Sequence, residues 1–196
     1  MNRKQEKVAK QGRGRALFMR RALKSPRQMA ALGPSTAAVS MSVAEQVDLT
    51  RNGIVLELGG GTGSITQALL EVGVPADRLV VVERYPEMCE LLRERFPGLQ
   101  VIQGDVLELK KLADEAGLGE VGTVVSSVPV VWLSLKEQSL LVDQVFSLME
   151  AGGRLVQLTY SPLSPLPKKK LGLEGKLVAR QMLSAPPAAV WTYWKA

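Results

Sequence analysis

A glycine-rich turn follows an apolar run in the first third of the chain. Residues 54–63 read Ile-Val-Leu-Glu-Leu-Gly-Gly-Gly-Thr-Gly, and apolar residues with helical spacing begin again at Ser64. Because glycine has no side chain, Gly59, Gly61 and Gly63 permit a sharp turn and let a ligand approach the backbone amides. The pattern predicts a strand, a ligand-binding turn and a helix, an arrangement suited to holding a nucleoside.

Acidic residues accompany this turn and the next two apolar runs. Glu83 lies twenty residues after the last glycine and closes the run 79–82, where a carboxylate can accept hydrogen bonds from both hydroxyls of a ribose. Asp105 follows the third run, and Glu57 lies two residues before the first glycine of the turn. A glycine turn alone also occurs in NAD-binding domains and in ordinary loops. The prediction therefore depends on the conjunction of the turn with these acids.

Together these features resemble the class I S-adenosylmethionine-dependent methyltransferases. In that family the glycine turn contacts the methionine part of the cofactor, the acid after the second strand holds the ribose, and the later Asp meets the adenine amine. The resemblance implies S-adenosylmethionine as cofactor, with S-adenosylhomocysteine as product. It assigns to the cofactor site Ser35, Glu57, Gly59, Gly61, Thr62, Gly63, Glu83, Arg84, Asp105, Val106 and Ser126. A Rossmann domain for NAD and a non-catalytic remnant are the alternatives.

The rest of the chain alternates apolar runs with helical patterns, as a doubly wound sheet requires. We expect an α/β fold: a Rossmann-like, seven-stranded class I methyltransferase sheet with helices on both faces. Strands are predicted near 54–58, 79–83, 99–102, 122–127 and 154–159, and helices near 35–48, 64–72, 86–95, 108–116 and 135–149. A closing antiparallel hairpin, 176–183 and 190–194, completes a predicted domain that spans 34–196.

The composition limits the chemistry that the chain can perform. Its 196 residues are enough for one domain with a core, and they include no histidine and a single cysteine, Cys89. Histidine is the commonest general base and metal ligand, so we expect no metal site. A single cysteine excludes an internal disulfide. The longest uncharged stretches, 121–135 and 155–167, are too short to span a bilayer, and no signal-peptide core follows the basic start.

The positive charge is concentrated in the first 27 residues. They hold ten lysines and arginines against one acid, Glu6, a net charge of +9; since the whole chain carries +6, the remainder carries −3. On a helix the cations would occupy one side and the apolar residues the other: Lys10, Arg13, Arg20, Arg21 and Lys24 against Val8, Phe18, Met19, Ala22 and Leu23. We call residues 1–33 the basic arm and predict an amphipathic helix on an anionic bilayer. Binding to RNA phosphates, a solvated disordered tail and an ordinary packed helix are the alternatives.

The methyl acceptor should meet the segment after the fourth strand, because ligands of open α/β sheets bind at the carboxyl ends of the strands. Many amine methyltransferases carry Asn, Asp or Ser there, then any residue, then Pro and an aromatic. Ser127 and Pro129 fit this pattern, whereas Val130 replaces the aromatic residue, which argues against a nucleobase and suits a small aliphatic amine. We assign Ser127, Pro129 and Tyr160 as the acceptor-site, catalytic residues. Tyr160, just past the fifth strand, would use its hydroxyl or its ring face against the methylated cation.

Over nearly its whole length the chain resembles the bacterial phospholipid N-methyltransferases. The resemblance rests on the order of the basic arm, Gly-Pro-Ser-Thr at 33–36, the glycine turn, Val-Val-Glu-Arg at 81–84, Ser-Ser-Val-Pro at 126–129 and Thr-Tyr-Ser-Pro-Leu-Ser-Pro at 159–165. Gly60 departs from it, since another residue is usual there. The resemblance implies a peripheral enzyme on the cytoplasmic face of the cell membrane. Such an enzyme methylates the amine of phosphatidylethanolamine stepwise toward phosphatidylcholine.

The proposed chemistry leads to further expectations. Only a neutral amine can attack the sulfonium methyl, so we expect desolvation to lower the pKa of the amine, without a dedicated general base. Lys168 to Lys170 and Arg180 could contact a phosphodiester or face water. One alternative is a ribosomal RNA adenine dimethylase, disfavoured by Val130 and by the lack of a helical domain after Trp194. Another is a membrane-bound sensor of S-adenosylmethionine without turnover. We expect no stable nucleic acid partner.

Overall fold

A computed structural model describes residues 34–182, 184 and 187–195 of the chain. The basic arm lies outside the described residues, and so does the side chain of Ser35. The strands are β1 (Ile54–Leu58), β2 (Leu79–Glu83), β3 (Gln100–Gln103), β4 (Val121–Ser126), β5 (Met149–Thr159), β6 (Leu173–Gln181) and β7 (Ala188–Lys195). The α-helices are α1 (Pro34–Ala44), α2 (Ser64–Glu71), α3 (Pro86–Arg95), α4 (Leu109–Glu115), α5 (Leu135–Leu148) and α6 (Lys168–Leu171).

The seven strands form one sheet in the order β3-β2-β1-β4-β5-β7-β6. Strands β1 to β5 are parallel, and β7 is antiparallel to both of its neighbours, β5 and β6. The carboxyl ends of β1 to β6 therefore lie at the same edge of the sheet, which we call the carboxyl edge. The predicted seven-stranded, Rossmann-like sheet with helices on both faces is confirmed.

Two apolar cores cover the two faces of the sheet, because successive side chains of a strand point in opposite directions. In β2, Leu79 and Val81 pack into one core with α1, α2 and α3, and Val80 and Val82 into the other with α4 and α5. All five residues of β2 are buried, as expected of a central parallel strand rich in β-branched residues.

Local signals in the sequence set the beginnings of two helices that shape the carboxyl edge. Pro86 occupies the first turn of α3, where its missing N–H costs no hydrogen bond. Helix α5 begins with a capping box: Ser134 Oγ accepts from Glu137 N at 3.2 Å, and Glu137 Oε2 accepts from Ser134 N at 2.7 Å. The capping box fixes the end of the segment that connects β4 to α5.

Three boundaries lie three or more residues from the prediction, and one of them is the start of β5, at Met149 rather than near 154. Helix α1 ends at Ala44 rather than near 48, because Gln46 N and Val47 N donate to carbonyls only three residues earlier and tighten the chain. The predicted closing hairpin begins three residues early: the short helix α6 precedes it, and Gly172, at φ +61°, turns the chain into β6 at Leu173 rather than near 176. Within the described residues, every helix is too short or too polar to cross a membrane.

Candidate active site

A cavity of about 320 Å³ opens at the carboxyl edge, where the segments after β1 to β5 converge. It brings together most of the residues predicted for the cofactor and for the acceptor. Its walls include Gly59, Gly61, Thr62, Glu83, Arg84, Asp105, Val106, Ser127, Pro129 and Tyr160. Helix α1 also contributes to the wall through Val39 and Ser40. The cofactor and acceptor predictions therefore meet in one continuous space.

The glycine turn needs glycine for two different reasons. Gly59 and Gly61 have φ values of +83° and +53°, in the left-handed region that side chains disfavour. Gly60 has no such φ value, but a Cβ atom there would lie 2.4 Å from Val81 Cγ1. Gly63 lies off the cavity wall; its φ is also positive, +82°, and a Cβ atom there would lie 2.5 Å from the ring of Phe96. Gly60 and Gly63 therefore let the turn pack on β2 and α3.

Glu83, the last residue of β2, is buried and holds the glycine turn from the side. Its Oε2 accepts a hydrogen bond from Gly61 N at 2.9 Å, and its Oε1 accepts one from Tyr85 N at 2.9 Å. Each carboxylate oxygen has a second lone pair, so both can still accept from hydroxyl groups in the cavity. Glu83 thus combines a structural role with the geometry expected of a ribose-binding acid.

Asp105 is oriented by a turn of its own. Its Oδ1 accepts from Leu107 N at 3.0 Å and caps the 3-10 helix Val106–Glu108. Its Oδ2 lies 3.4 Å from a guanidinium nitrogen of Arg84, and both side chains are partly exposed, so this ion pair stabilises the fold little. The pair instead closes one wall of the cavity with two charged groups on adjacent strand ends.

Glu57 occupies a different place from the other predicted cofactor residues. It is fully buried behind the turn, off the cavity wall, and its Oε2 accepts from Thr66 Oγ1 at 2.7 Å. Burial raises the pKa of Glu57 to about 8, against the opposing hydrogen bond from Thr66 and with a smaller contribution from the charge of Glu83. The Glu57 side chain is therefore mostly protonated at neutral pH and joins β1 to α2.

The segment 127–133, which we call the acceptor loop, is fixed to the turn and to the sheet. Ser127 Oγ donates to Gly59 O at 2.7 Å, and Ser127 N donates to Leu58 O at 3.0 Å. Two buried glutamine side chains also hold the loop through hydrogen bonds to its carbonyls. Gln157 Nε2 donates to Val128 O at 2.9 Å, and Gln138 Nε2 donates to Val130 O at 2.8 Å. Ser126 is buried in β4 and does not reach the cavity wall.

Two aromatic side chains line the cavity from the segments that follow β4 and β5, where the methyl acceptor is predicted to bind. Tyr160 lines it while remaining half-exposed, and partial burial raises the pKa of its hydroxyl, which is therefore protonated and able to donate at neutral pH. Trp132 lines the same cavity from the acceptor loop, two residues after Val130. The aromatic group that the sequence pattern places at 130 is thus supplied from 132.

Other predicted contacts lie elsewhere. Lys168 Nζ donates to Gly175 O at 2.9 Å, which ties α6 to β6. Lys169, Lys170 and Arg180 are exposed, and none of these four cations lines the cavity. In the described part of the chain, no three His, Cys, Asp or Glu side chains are arranged to hold a metal ion.

The residues present fit S-adenosylmethionine. A Cβ atom at Gly59 would lie 3.0 Å from Ser127 Oγ and 3.4 Å from Val128 Cγ2, so a side chain there would fill the space between the turn and the acceptor loop. The carboxylates of Glu83 and Asp105 line the cavity and suit the hydroxyls, the amine and the positive sulfonium of that molecule.

These features define a class of protein. Residues 55–153 match a family model described as a methyltransferase domain. The crystal structure of the glycopeptide N-methyltransferase MtfA complexed with S-adenosylmethionine has the same fold, with a TM-score of 0.59 at 16% identity, over 84% of this chain and 96% of that one. The chain belongs to the class I S-adenosylmethionine-dependent methyltransferases, and the cofactor prediction is confirmed.

Two curated relatives differ in how much of them the chain matches. It is 32% identical over 149 residues to the ornithine lipid N-methyltransferase of Singulisphaera acidiphila, a match that covers 74% of this chain and 78% of that protein. It is 39% identical over 71 residues to the probable ribosomal RNA small subunit methyltransferase A of Methanococcoides burtonii. That match covers 35% of this chain and 25% of that protein.

Proposed function

We propose that the protein methylates the headgroup amine of a membrane lipid, with phosphatidylethanolamine and its methylated derivatives as substrates on the way to phosphatidylcholine. The observation that carries the proposal is the cavity, which runs from the glycine turn to Pro129 and Tyr160. The relative with the most extensive match named above is a lipid N-methyltransferase, which supports a lipid amine as the acceptor class. Ornithine lipid, the substrate in that relative's name, is the second candidate.

Catalysis would depend on what the cavity does to the amine. S-adenosylmethionine supplies a methyl group on a positively charged sulfur. Among the residues that the structure describes, no lysine lines the cavity, and the one cation in its wall, Arg84, is paired with Asp105. An amine desolvated between Pro129 and the rings of Tyr160 and Trp132 loses affinity for its proton, and the same rings stabilise the methylated cation. The acceptor loop then positions the nitrogen for in-line transfer.

The basic arm would bring the enzyme to an anionic membrane, on the cytoplasmic face. Its net charge of +9 attracts anionic headgroups, and salt screens that attraction within about 10 Å at 0.1 M. Changing Arg20 and Arg21 to Glu should weaken sedimentation with phosphatidylglycerol vesicles and flatten its salt dependence. If this variant sediments as strongly as the natural chain and with the same salt dependence, the basic arm does not contribute to membrane binding.

Ribosomal RNA is the rival substrate, because the chain also matches RNA methyltransferases. That match covers only a quarter of the named relative. Because Trp132 supplies an aromatic ring to the cavity, Val130 alone does not argue against a base. The basic arm would suit either polymer phosphates or anionic lipid. The lipid proposal is favoured because a match to a lipid enzyme extends over about three quarters of both chains.

One assay separates these substrates. The full chain is incubated with radiolabelled S-adenosylmethionine and, in parallel, with vesicles containing phosphatidylethanolamine, vesicles containing ornithine lipid, or ribosomal RNA. Label should enter phosphatidylethanolamine and should run with its mono-, di- or trimethylated forms on thin-layer chromatography. If only ornithine lipid is labelled, ornithine lipid rather than phosphatidylethanolamine is the substrate. Labelling of RNA alone would overturn the proposal. Cofactor binding without transfer to any of the three would favour the sensor.

A further inference from the structure

Large apolar side chains are exposed in segments that leave the carboxyl edge of the sheet. Of the seven such side chains that are exposed in the described residues, five lie in segments that follow β4, β5 or β6. We call these five the apolar rim: Val131 (37% exposed), Leu135 (46%), Tyr160 (54%), Leu163 (73%) and Met182 (67%). Leucine and methionine side chains with exposed fractions this high do not contribute to the apolar core.

The topology places the rim at one edge of the molecule. Strands β4, β5 and β6 run in the same direction, so the segments that leave them begin at the carboxyl edge. Tyr160 belongs both to the rim and to the cavity wall. The other two exposed apolar residues lie elsewhere: Leu49 precedes β1 at the opposite edge, and Leu140 lies in the middle of α5.

The basic arm joins the fold at this same edge. Val39 and Ser40 of α1 line the cavity, and Gln181 Nε2, at the end of β6, donates to Ser42 Oγ at 2.6 Å. Residues 1–33 therefore connect to the fold beside the rim, with their net charge of +9. Exposed apolar side chains on separate loops, at the edge where a segment with a net charge of +9 joins the fold, match an anionic bilayer. The apolar groups can enter the acyl boundary while the cations stay at the headgroups.

We propose that the apolar rim inserts into the interface of an anionic lipid bilayer, as a membrane contact separate from the basic arm. The choice of lipid as partner rests on the proposed function. Insertion turns the mouth of the cavity toward the headgroups, so that a lipid amine reaches Tyr160 while its acyl chains stay in the bilayer. Because burial of apolar groups is not screened by ions, the rim supplies the salt-resistant part of membrane binding.

Fluorescent reporters at single positions test the insertion directly. An environment-sensitive NBD label is attached in the full chain to Leu163→Cys, Met182→Cys or Leu49→Cys; the native Cys89 is fully buried and should not react. With vesicles of phosphatidylethanolamine and phosphatidylglycerol, emission at 163 and 182 should shift to shorter wavelength and be quenched by brominated acyl chains. The label at 49, a residue of comparable apolarity at the opposite edge, should remain in water.

Each other outcome overturns the inference. If the protein sediments with the vesicles while 163 and 182 remain in water, the arm alone binds. If 49 responds as strongly as 163, the contact is not at the rim. Emission that shifts at 163 and 182 without lipid, together with self-association in sedimentation velocity, would make the rim an interface between protein copies. These fluorescence measurements need no turnover. If the labels at 163 and 182 enter the bilayer but no lipid is methylated, the proposed function is refuted and the membrane insertion of the rim still holds.

Partitioning variants give a second measurement. Leu163→Ser combined with Met182→Ser should lower vesicle partitioning in 1 M salt by about tenfold, since two apolar side chains no longer enter the interface. Leu49→Ser is the matched control and should partition as the unchanged protein does. Both variants change exposed residues and should keep the unfolding midpoint. A double variant that partitions normally at high salt would overturn the inference.

Discussion

The buried carboxyl group of Glu57 predicts how the stability of this protein should depend on pH. The pKa of Glu57 is about 8 in the folded chain and 4.5 in its ordinary state. Between these two values the unfolded chain has lost the proton while the folded chain retains it, so the free energy of unfolding falls as pH rises. The contribution is complete below pH 4.5 and is lost as pH rises through 8.

The magnitude follows from the proton difference. One proton more in the folded state gives a slope of about 1.4 kcal/mol per pH unit, so about 2 to 3 kcal/mol is lost between pH 5.5 and 7.5. Glu57→Gln keeps the size of the side chain and an acceptor for Thr66 but cannot ionise. Relative to the natural chain, the variant should therefore gain about 2 to 3 kcal/mol over this range.

Urea unfolding at pH 5.5, 6.5 and 7.5 measures this difference, because groups that titrate in both proteins cancel. Glu87→Gln, at an exposed position in the first turn of α3, is the matched control and should give a difference independent of pH. If the Glu57→Gln difference is also constant, Glu57 is ionised in the folded protein and the reasoning from burial is wrong.

Three substitutions test the site and the turn. Glu83→Ala removes a charged acceptor worth about 1.5 to 3 kcal/mol, so calorimetry should show tenfold weaker cofactor binding or worse, with Glu87→Ala unaffected; unchanged affinity would exclude Glu83 from the cofactor site. Tyr160→Ala should lower kcat by about tenfold or more while the cofactor Kd stays constant. A parallel loss of both would place Tyr160 at the cofactor. Gly60→Ala should cost about 1 to 3 kcal/mol in urea unfolding, since its Cβ would overlap β2; an unchanged midpoint would mean that the neighbours give way.

The sequence predicted the parts of the site that depend on backbone direction. A glycine turn after a buried strand, an acid at the end of the next strand and a polar loop after the fourth all occupy the carboxyl edge, because parallel strands end together. For this reason spacing placed Gly59 and Glu83 at that edge, and the position after the fourth strand, together with the pattern of amine methyltransferases, placed Ser127 there. The fold was predicted for the same reason, since strands alternating with helices admit few topologies.

What the sequence left unresolved depends on side-chain direction. Glu57 occupies the expected motif position, but its side chain lies behind the glycine turn, where it accepts a hydrogen bond from Thr66 and does not line the cavity. Gln157 and Gln138 were missed, although a glutamine in the middle of an apolar strand or at a buried helical position is a visible signal that needs a partner. Trp132 was missed because a 3-10 turn, Val130–Trp132, shifts the aromatic by two positions.

The hydrogen bond from Ser127 Oγ to Gly59 O leaves the hydroxyl with lone pairs but no proton to give. Toward an amine in the cavity, Ser127 can therefore act only as an acceptor, which orients an N–H without competing for the nitrogen lone pair that must attack. Each methyl group added removes one N–H. In the neutral form that attacks, a primary amine has two N–H groups, a monomethylated amine has one and a dimethylated amine has none, so this oxygen can orient the first two methyl transfers but not a third.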